Sequence, residues 1–205
     1  MLKVGLTGGI ACGKSFALKE FQKLGIHGID SDRIGHQVIE KDGPAFQAVI
    51  EEFGDSILDT SGSIDRRSLG ALVFGDDGLR LRLNELVHPF IFEREDQVFN
   101  SLQNPLSNLR PAIVMTDAAL MVETGSYLRY DFVVVIYCLP EIQLRRLHTR
   151  DGIGEAAAQS RIRSQMPVLE KLHYADFIID NSGKMSNTIE QIHQVHNELV
   201  NCHTA

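Results

Sequence analysis

The chain has 205 residues, of which 43% are hydrophobic, and a formal net charge of −7 at pH 7. This length suits one α/β domain with a small insertion. The negative charge argues against a general binder of nucleic acids or anionic membranes. Neither a basic leader nor a long apolar run precedes the first predicted strand, so we expect no signal peptide, no transmembrane span and a cytoplasmic protein.

The cysteines are Cys12, Cys138 and Cys202. Their odd number and the absence of zinc-ligand spacing predict reduced thiols in a reducing compartment. Cys12 falls inside a glycine-rich loop, where the positive end of a following helix could lower its pKa and make it oxidisable. The alternative is that Cys12 is a small residue that fits a crowded loop.

Residues 8–15, Gly-Gly-Ile-Ala-Cys-Gly-Lys-Ser, fit the phosphate-binding pattern G-x-x-x-x-G-K-[ST]. The apolar segment 2–7 before the loop predicts a strand, and the apolar residues after it have helical spacing. A glycine-rich turn without a ligand would give the same flanks, but the Gly-Lys-Ser ending has no purpose in such a turn. The sequence therefore predicts a strand, a phosphate loop and a helix in the required order.

Such a loop binds an anion because consecutive backbone N–H groups converge on it and the next helix points its positive end at it. Lys14 can neutralise the outer phosphates, and the hydroxyl of Ser15 can ligate Mg²⁺. The residues expected to bind the nucleotide here are Gly9, Ile10, Ala11, Cys12, Gly13, Lys14, Ser15 and Phe16.

A second short strand is predicted to end at Asp30, with a helix continuing to Val38. Asp30, Asp32 and Arg33 then stand at the carboxyl end of a strand, where open α/β sheets bind their ligands. The carboxylates are candidates for orienting or deprotonating a substrate hydroxyl. Alternatively, Ser31 or Asp32 caps the helix.

Residues 40–108 show helical patterning without a convincing buried strand, which predicts an all-helical insertion. Helices are expected over residues 44–53, 65–74 and 79–102. The longest should break at His88-Pro89, and Asn104-Pro105 should mark the end of the insertion. His88 could contact a ligand or could be structural.

The apolar runs 111–117 and 132–138 predict the interior strands of a parallel sheet. Asp117 ends the first run, where nucleotide-binding sheets hold the acidic partner of the metal, usually through water. A cap for the next turn is the alternative. Residues 175–180 predict the last strand, followed by Asn181 and Gly183, which could border the base of the nucleotide, and by an amphipathic helix.

Residues 141–172 carry an excess of basic side chains, with Gly152 and Gly154 between two helical stretches. With a phosphate loop upstream, this composition predicts a mobile lid that could bring guanidinium groups onto transferring phosphates. A solvated helix face with ordinary ion pairs is the alternative.

Taken together, these residues resemble the dephospho-coenzyme A kinase family over nearly the whole chain. Besides the phosphate loop, the resemblance rests on residues 30–32, 65–67, 72–74, 83–89, 143–152, 161–165, 175–176 and 180–183. The chain departs from the family after the third strand. The family usually has Asp-Ile-Pro-Leu-Leu-Phe-Glu there, whereas residues 117–123 read Asp-Ala-Ala-Leu-Met-Val-Glu and lack the proline.

The resemblance implies an α/β fold of the P-loop NTPase type. By analogy with nucleoside-monophosphate kinases, we expect a parallel five-stranded sheet in the order 2-3-1-4-5. The core would comprise residues 1–39, 109–140 and 173–205. A helical acceptor domain would span residues 40–108, and a lid would span residues 141–172.

The resemblance also implies transfer of the ATP γ-phosphate to the ribose 3′-hydroxyl of dephospho-coenzyme A, with Mg²⁺, as the last step of coenzyme A synthesis. The expected catalytic residues are Asp32 as the base, Lys14, Arg150 and Arg161. Acceptor contacts are expected from Asp32, Arg33, His88 and Asp117, and metal contacts from Ser15 and, through water, Asp117. We expect a monomer or weak homo-oligomer without nucleic-acid or membrane partners.

Two other functions share the phosphate loop. One is a kinase for a nucleoside monophosphate, which only the similarity of the acceptor region argues against. The other is a nucleotide-binding switch, which is disfavoured because no Asn-Lys-x-Asp guanine-selecting element occurs.

Overall fold

A computed structural model of the chain describes residues 1–74, 76–103 and 113–204. The chain divides into two compact units, one of Met1–Asp30 with Pro105–Ala205 and one of Ser31–Asn104. Within the described ranges, none of the helices combines the length and the apolar character needed to cross a membrane.

The first unit is built on a five-stranded parallel sheet in the order β2-β3-β1-β4-β5. Its strands are β1 (Leu2–Gly8), β2 (His27–Asp30), β3 (Ile113–Asp117), β4 (Phe132–Tyr137) and β5 (Phe177–Asp180). The predicted order is confirmed, although the expected start of the third strand at residues 111 and 112 lies outside the described residues. Because β1 is central, the loop that follows it opens at the middle of the carboxyl edge.

Helices of the first unit cover both faces of this sheet. They are α1 (Lys14–Lys23), α6 (Pro140–Asp151), α7 (Glu155–Arg163), α8 (Val168–Lys171) and α9 (Met185–Thr204). On one face, Val134 packs in a buried cluster with Phe21 of α1 and Ile192 of α9. On the other, Val133 packs with Met121. The continuous apolar run of β4 is therefore buried on both faces, as expected for an interior strand.

The second unit consists of helices. They are α2 (Ser31–Val38), α3 (Phe46–Phe53), α4 (Arg66–Phe74) and α5 (Asp77–Gln103), and the first three contact α5. Strand pairing within the described part of this unit is limited to an isolated bridge between Leu58 and Ile64. Asp65 precedes α4, and its carboxylate accepts hydrogen bonds from the backbone N–H groups of Arg67 and Ser68, which stabilises the start of that helix.

The break predicted at His88-Pro89 is wrong, because α5 continues through Pro89. A proline inside a helix costs about 3 kcal/mol. Burial opposes this cost along one face of α5, at a spacing of four residues: Val87, Ile91, Glu95 and Phe99. The three apolar side chains contribute about 1.5–3 kcal/mol each, enough to keep one helix. The predicted end of the insertion at Asn104-Pro105 lies outside the described residues.

Candidate active site

The loop between β1 and α1 turns sharply. The backbone N–H of Cys12 donates to the carbonyl of Gly9 at 3.1 Å. Ala11 and Gly13 both have left-handed backbones, with φ of 60° and 103°. At Gly13 a Cβ would lie 2.2 Å from Nδ2 of Asn181, so this position requires glycine. Since α1 begins at Lys14, its first N–H groups have no acceptor within the helix and are available to an anion at the loop.

The segment after β5 supports the loop through hydrogen bonds. Nδ2 of Asn181 donates to the carbonyl of Cys12 at 2.8 Å, and the hydroxyl of Thr188 donates to Oδ1 of Asn181 at 3.0 Å. Asn181 is only 8% exposed. Its amide therefore supports the loop backbone, whereas Gly183 lies exposed in the turn before α9.

Lys14 and Asp117 form an ion pair at the carboxyl edge of the sheet. Nζ of Lys14 lies 3.5 Å from Oδ1 of Asp117, and both side chains are largely buried. Asp117 ends β3, beside Leu6 of β1 in the sheet register. Ser15 follows in the first turn of α1 with its side chain exposed. The ammonium of Lys14, the hydroxyl of Ser15 and the carboxylate of Asp117 thus lie at or after the carboxyl ends of the adjacent strands β1 and β3.

A cavity of about 600 Å³ opens between the loop and α6. It is lined by Gly9, Ala11, Gly13, Lys14, Ser15, Phe16, Arg145, Arg146, Thr149 and Arg150. Nη1 of Arg146 is buried and has no hydrogen-bond partner among the described residues. An anionic ligand would satisfy this donor. The sequence placed Arg150 here, but it did not single out Thr149 or Arg146, and Arg146 shares the Arg150 face of α6.

The predicted lid arginines meet at one carboxylate. Nε of Arg150 donates to Asp151 at 2.7 Å, and Nη1 of Arg161 donates to Asp151 at 2.6 Å. These bonds, that of Arg150 most of all, hold the pKa of Asp151 below its usual range. Both guanidinium groups are about half exposed, at 57% and 46%. Exposed pairs of this kind are weak, so the arginines can exchange Asp151 for phosphate oxygens.

Cys12 is fully buried beneath the loop, and its Sγ lies 3.5 Å from Sγ of Cys138. The hydrogen bond from the Cys138 thiol lowers the pKa of Cys12, and the same contact together with burial raises the pKa of Cys138. Val168 packs against both thiols. This packing favours the interpretation of Cys12 as a small residue in a crowded loop.

The turn after β3, which lacks the family proline, is held by a buried lysine. Nζ of Lys171 donates to the carbonyl of Ala119 at 2.7 Å and to the carboxylate of Glu123 at 2.9 Å. Glu123 also accepts from the N–H of Met166. Burial lowers the pKa of Lys171, and Glu123 opposes that shift. Sequence patterning gave no signal for this lysine, because its partners lie about fifty residues away along the chain.

In the second unit, Asp32 and Arg33 are exposed in the first turn of α2. Ser31 and Asp32 both lie in the first turn of α2, and the capping alternative stays a prediction. The hydroxyl of Ser31 donates to the buried carboxylate of Glu95. His88 is half-buried on α5, and burial lowers the pKa of its imidazole.

A parallel sheet in this order, with the phosphate loop directly after its central strand, places the chain among the P-loop kinases. A family model described as dephospho-CoA kinase matches residues 2–187. The chain is 38% identical to the dephospho-CoA kinase of Syntrophus aciditrophicus, over 98% of this chain and 84% of the relative. It is 35% identical to that of Aquifex aeolicus, over 97% and 98%. The chain therefore belongs to the dephospho-CoA kinase family.

A solved structure agrees with this fold. The crystal structure of TT1252 from Thermus thermophilus superposes with a TM-score of 0.82 over 96% of each chain, at 24% identity. The family resemblance and the fold expected from sequence are both confirmed. The chain is an enzyme of the kinase class that acts in coenzyme A biosynthesis.

Proposed function

We propose that the chain transfers the γ-phosphate of ATP to the ribose 3′-hydroxyl of dephospho-coenzyme A, giving coenzyme A and ADP. Family membership supports the two substrates. The observation that carries the chemistry is the cavity beside the phosphate loop, which Lys14, Arg146 and Arg150 line together. Phosphoryl transfer needs positive charge around the transferring group more than it needs covalent help from the protein.

Mg²⁺ is the proposed cofactor, and the residues present fit it. Mg²⁺ prefers oxygen donors and keeps several waters, so one or two protein oxygens plus substrate phosphates suffice. The exposed hydroxyl of Ser15 would ligate the ion directly, and Asp117, which ends β3, would contact it through water. When bound, Mg²⁺ neutralises charge on the β- and γ-phosphates.

The lid arginines have a distinct proposed role. Arg146 presents an unsatisfied donor beside the phosphate loop, and Arg150 reaches the same cavity. Arg161 is joined to Arg150 through Asp151. In the proposed lid of residues 141–172, Arg150 and Arg161 leave Asp151 for the transferring phosphate, where charge develops in the transition state.

Asp32 is the proposed base for the acceptor hydroxyl. Its carboxylate is exposed, and it follows by two residues the end of β2, the strand that pairs with the Asp117 strand. A carboxylate within hydrogen-bond reach can orient a ribose hydroxyl and accept its proton. Arg33, His88 and Asp117 are the proposed further acceptor contacts, and residues 40–108 form the proposed helical acceptor domain. A cytoplasmic location and a monomer or weak homo-oligomer complete the proposal.

The acceptor is tested by measuring ADP formation from Mg·ATP with dephospho-coenzyme A, AMP, CMP or no acceptor. The proposal expects rapid turnover with dephospho-coenzyme A alone, at most slow hydrolysis without acceptor, and loss of turnover when EDTA removes the metal. Faster turnover with AMP or CMP would instead identify a nucleoside-monophosphate kinase.

A further inference from the structure

Glutamine side chains bind both backbone polar groups of one residue in the phosphate loop, Ile10. Nε2 of Gln143, on α6, donates to the carbonyl of Ile10 at 2.9 Å. The N–H of Ile10 donates to Oε1 of Gln165, just after α7, also at 2.9 Å. Ile10 stands between Gly9 and Ala11, which line the cavity beside the loop. Gln143 is only 4% exposed, and Gln165 is half-buried.

The two glutamines have opposite, fixed roles. A backbone carbonyl can only accept and a backbone N–H can only donate. Gln143 must therefore turn its NH₂ group toward Ile10, and Gln165 must turn its oxygen toward Ile10. The direction of each amide follows from the backbone, and neither residue can replace the other.

The loop is shaped to admit the Gln143 amide. A Cβ on Gly9 would lie 2.6 Å from Nε2 of Gln143 and 3.2 Å from Sγ of Cys12. A side chain at Gly9 would therefore push the amide away from the neighbouring carbonyl. The glycine and the glutamine fit as a pair although they are remote in sequence.

Gln143 also lies on the helix face that carries the cavity arginines. Arg146 and Arg150 follow it by three and seven residues on α6, so the three share one side of the helix. The bond to Ile10 thus fixes α6 against the loop while Arg146 and Arg150 line the loop cavity. Gln165 adds a second attachment, from the segment that follows Arg161 on α7.

We propose that Gln143 and Gln165 are positioning residues for phosphoryl transfer. Together they hold the backbone of Ile10 in the conformation that binds phosphate and align the loop with the arginines of α6 and α7. The role rests on the proposed kinase function. It predicts that loss of either bond misaligns the loop and the arginines, which affects ATP use more than stability.

The test uses two substitutions at each glutamine. Gln143→Met and Gln165→Met keep the length of the side chain and remove both polar atoms. Gln143→Glu and Gln165→Glu keep the shape and make the group an acceptor only. At position 165 a carboxylate can still accept the hydrogen bond from the N–H of Ile10. At position 143 a carboxylate faces the carbonyl of Ile10 and has no proton to donate to it. Both Glu variants add the same charge beside the same residue, Ile10. Gln159→Met, on α7, is the matched control, because Gln159 donates to Glu155 of its own helix.

The readouts are kcat and KM for ATP, the melting temperature, and binding of a fluorescent ADP analogue. Each Met variant at positions 143 and 165 should lower kcat/KM for ATP by about 10- to 100-fold. Gln165→Glu should recover most of the loss of Gln165→Met, whereas Gln143→Glu should recover none of the loss of Gln143→Met. The control Gln159→Met should match the wild type.

A structural role alone predicts that activity follows melting temperature at both positions, with no difference between the two Glu variants. Equal recovery at both positions, no recovery by Gln165→Glu, or Met variants that match the wild type would each overturn the proposal. If a Met variant fails to fold, the two Glu variants are compared with the wild type, and the proposal predicts the larger loss of kcat/KM for Gln143→Glu. Binding of the ADP analogue should show the same asymmetry even if wild type does not phosphorylate dephospho-coenzyme A, which separates this proposal from the proposed function.

Discussion

Nζ of Lys14 lies 3.5 Å from Oδ1 of Asp117, with both side chains largely buried at the carboxyl edge of the sheet. This separation is longer than the 2.7–2.9 Å or so of a charge-assisted hydrogen bond, so the pair is a loose one. Asp117 keeps the ammonium group at the loop without competing strongly with phosphate oxygens. The contact therefore positions Lys14 for the outer phosphates of a nucleotide.

Lys14→Ala should lower kcat by at least about 10²-fold, because it removes a preorganised charge that acts on the transferring group. The fold should persist, since Lys14 packs at the edge of the core and not within it. Steady-state kinetics and a melting curve measure the two effects. Lys19→Ala, exposed on the same helix, is the control and should match the wild type. A Lys14→Ala enzyme with near-normal kcat would remove the lysine from the mechanism.

Arg150→Ala and Arg161→Ala should each lower kcat far more than they weaken ADP binding, because ADP lacks the γ-phosphate these arginines are proposed to contact. Rapid-mixing kinetics and calorimetric titration with ADP separate the two quantities. Arg163→Ala, also exposed near the end of α7, is the control. An unchanged kcat in both variants would favour the alternative, in which residues 141–172 form an ordinary solvated helix face with surface ion pairs.

Local patterns in the sequence predicted the sheet well. The run of residues 132–138 is continuously apolar because Val133 and Val134 pack on opposite faces of β4. The glycine loop was recognisable because its motif occupies consecutive residues. The rule that a helix breaks before proline failed at Pro89, because burial of Val87 and Ile91 keeps one helix.

Contacts between distant segments could not be predicted from such patterns. Gln165 meets Ile10 across 155 residues, and Lys171 meets Ala119 across 52. Glutamine and lysine near a helix end normally indicate solvent exposure. Only the folded backbone shows that Lys171 is fully buried and that the amide of Gln165 faces the phosphate loop.

His88 should make folding sensitive to mild acid. Burial lowers its pKa below the ordinary value of 6.5, so between these two values the unfolded chain binds a proton that the folded chain does not. The free energy of unfolding should therefore fall as the pH drops through this window, and His88 should contribute no such loss above it. Urea unfolding between about pH 5 and about pH 8 measures the effect.

His88→Gln should lose less stability on acidification than the wild type. His36→Gln, exposed on α2, is the matched control for removal of a histidine. If His88→Gln and the wild type lose stability in parallel, burial of His88 is not the cause.

Asp32→Asn should lower kcat by about 10²- to 10⁴-fold with little change in ATP affinity, the usual range for loss of a general base. Part of the loss will reflect orientation of the hydroxyl, since phosphoryl transfer has a loose transition state. Asp30→Asn is the comparison, because Asp30 ends β2 two residues earlier. If the kcat of Asp32→Asn stays within about tenfold of the wild type while Asp30→Asn is inactive, the base is Asp30 and not Asp32.

The most direct test of the kinase assignment follows the phosphate itself. In a single turnover with Mg·ATP that carries a radiolabelled γ-phosphate, enzyme is mixed with dephospho-coenzyme A, and the product is treated with a nucleotidase specific for 3′-phosphates. The account predicts one labelled coenzyme A for each ADP formed, with all the label released by the nucleotidase. Label that appears as inorganic phosphate before this treatment, or that resists the nucleotidase, would contradict it.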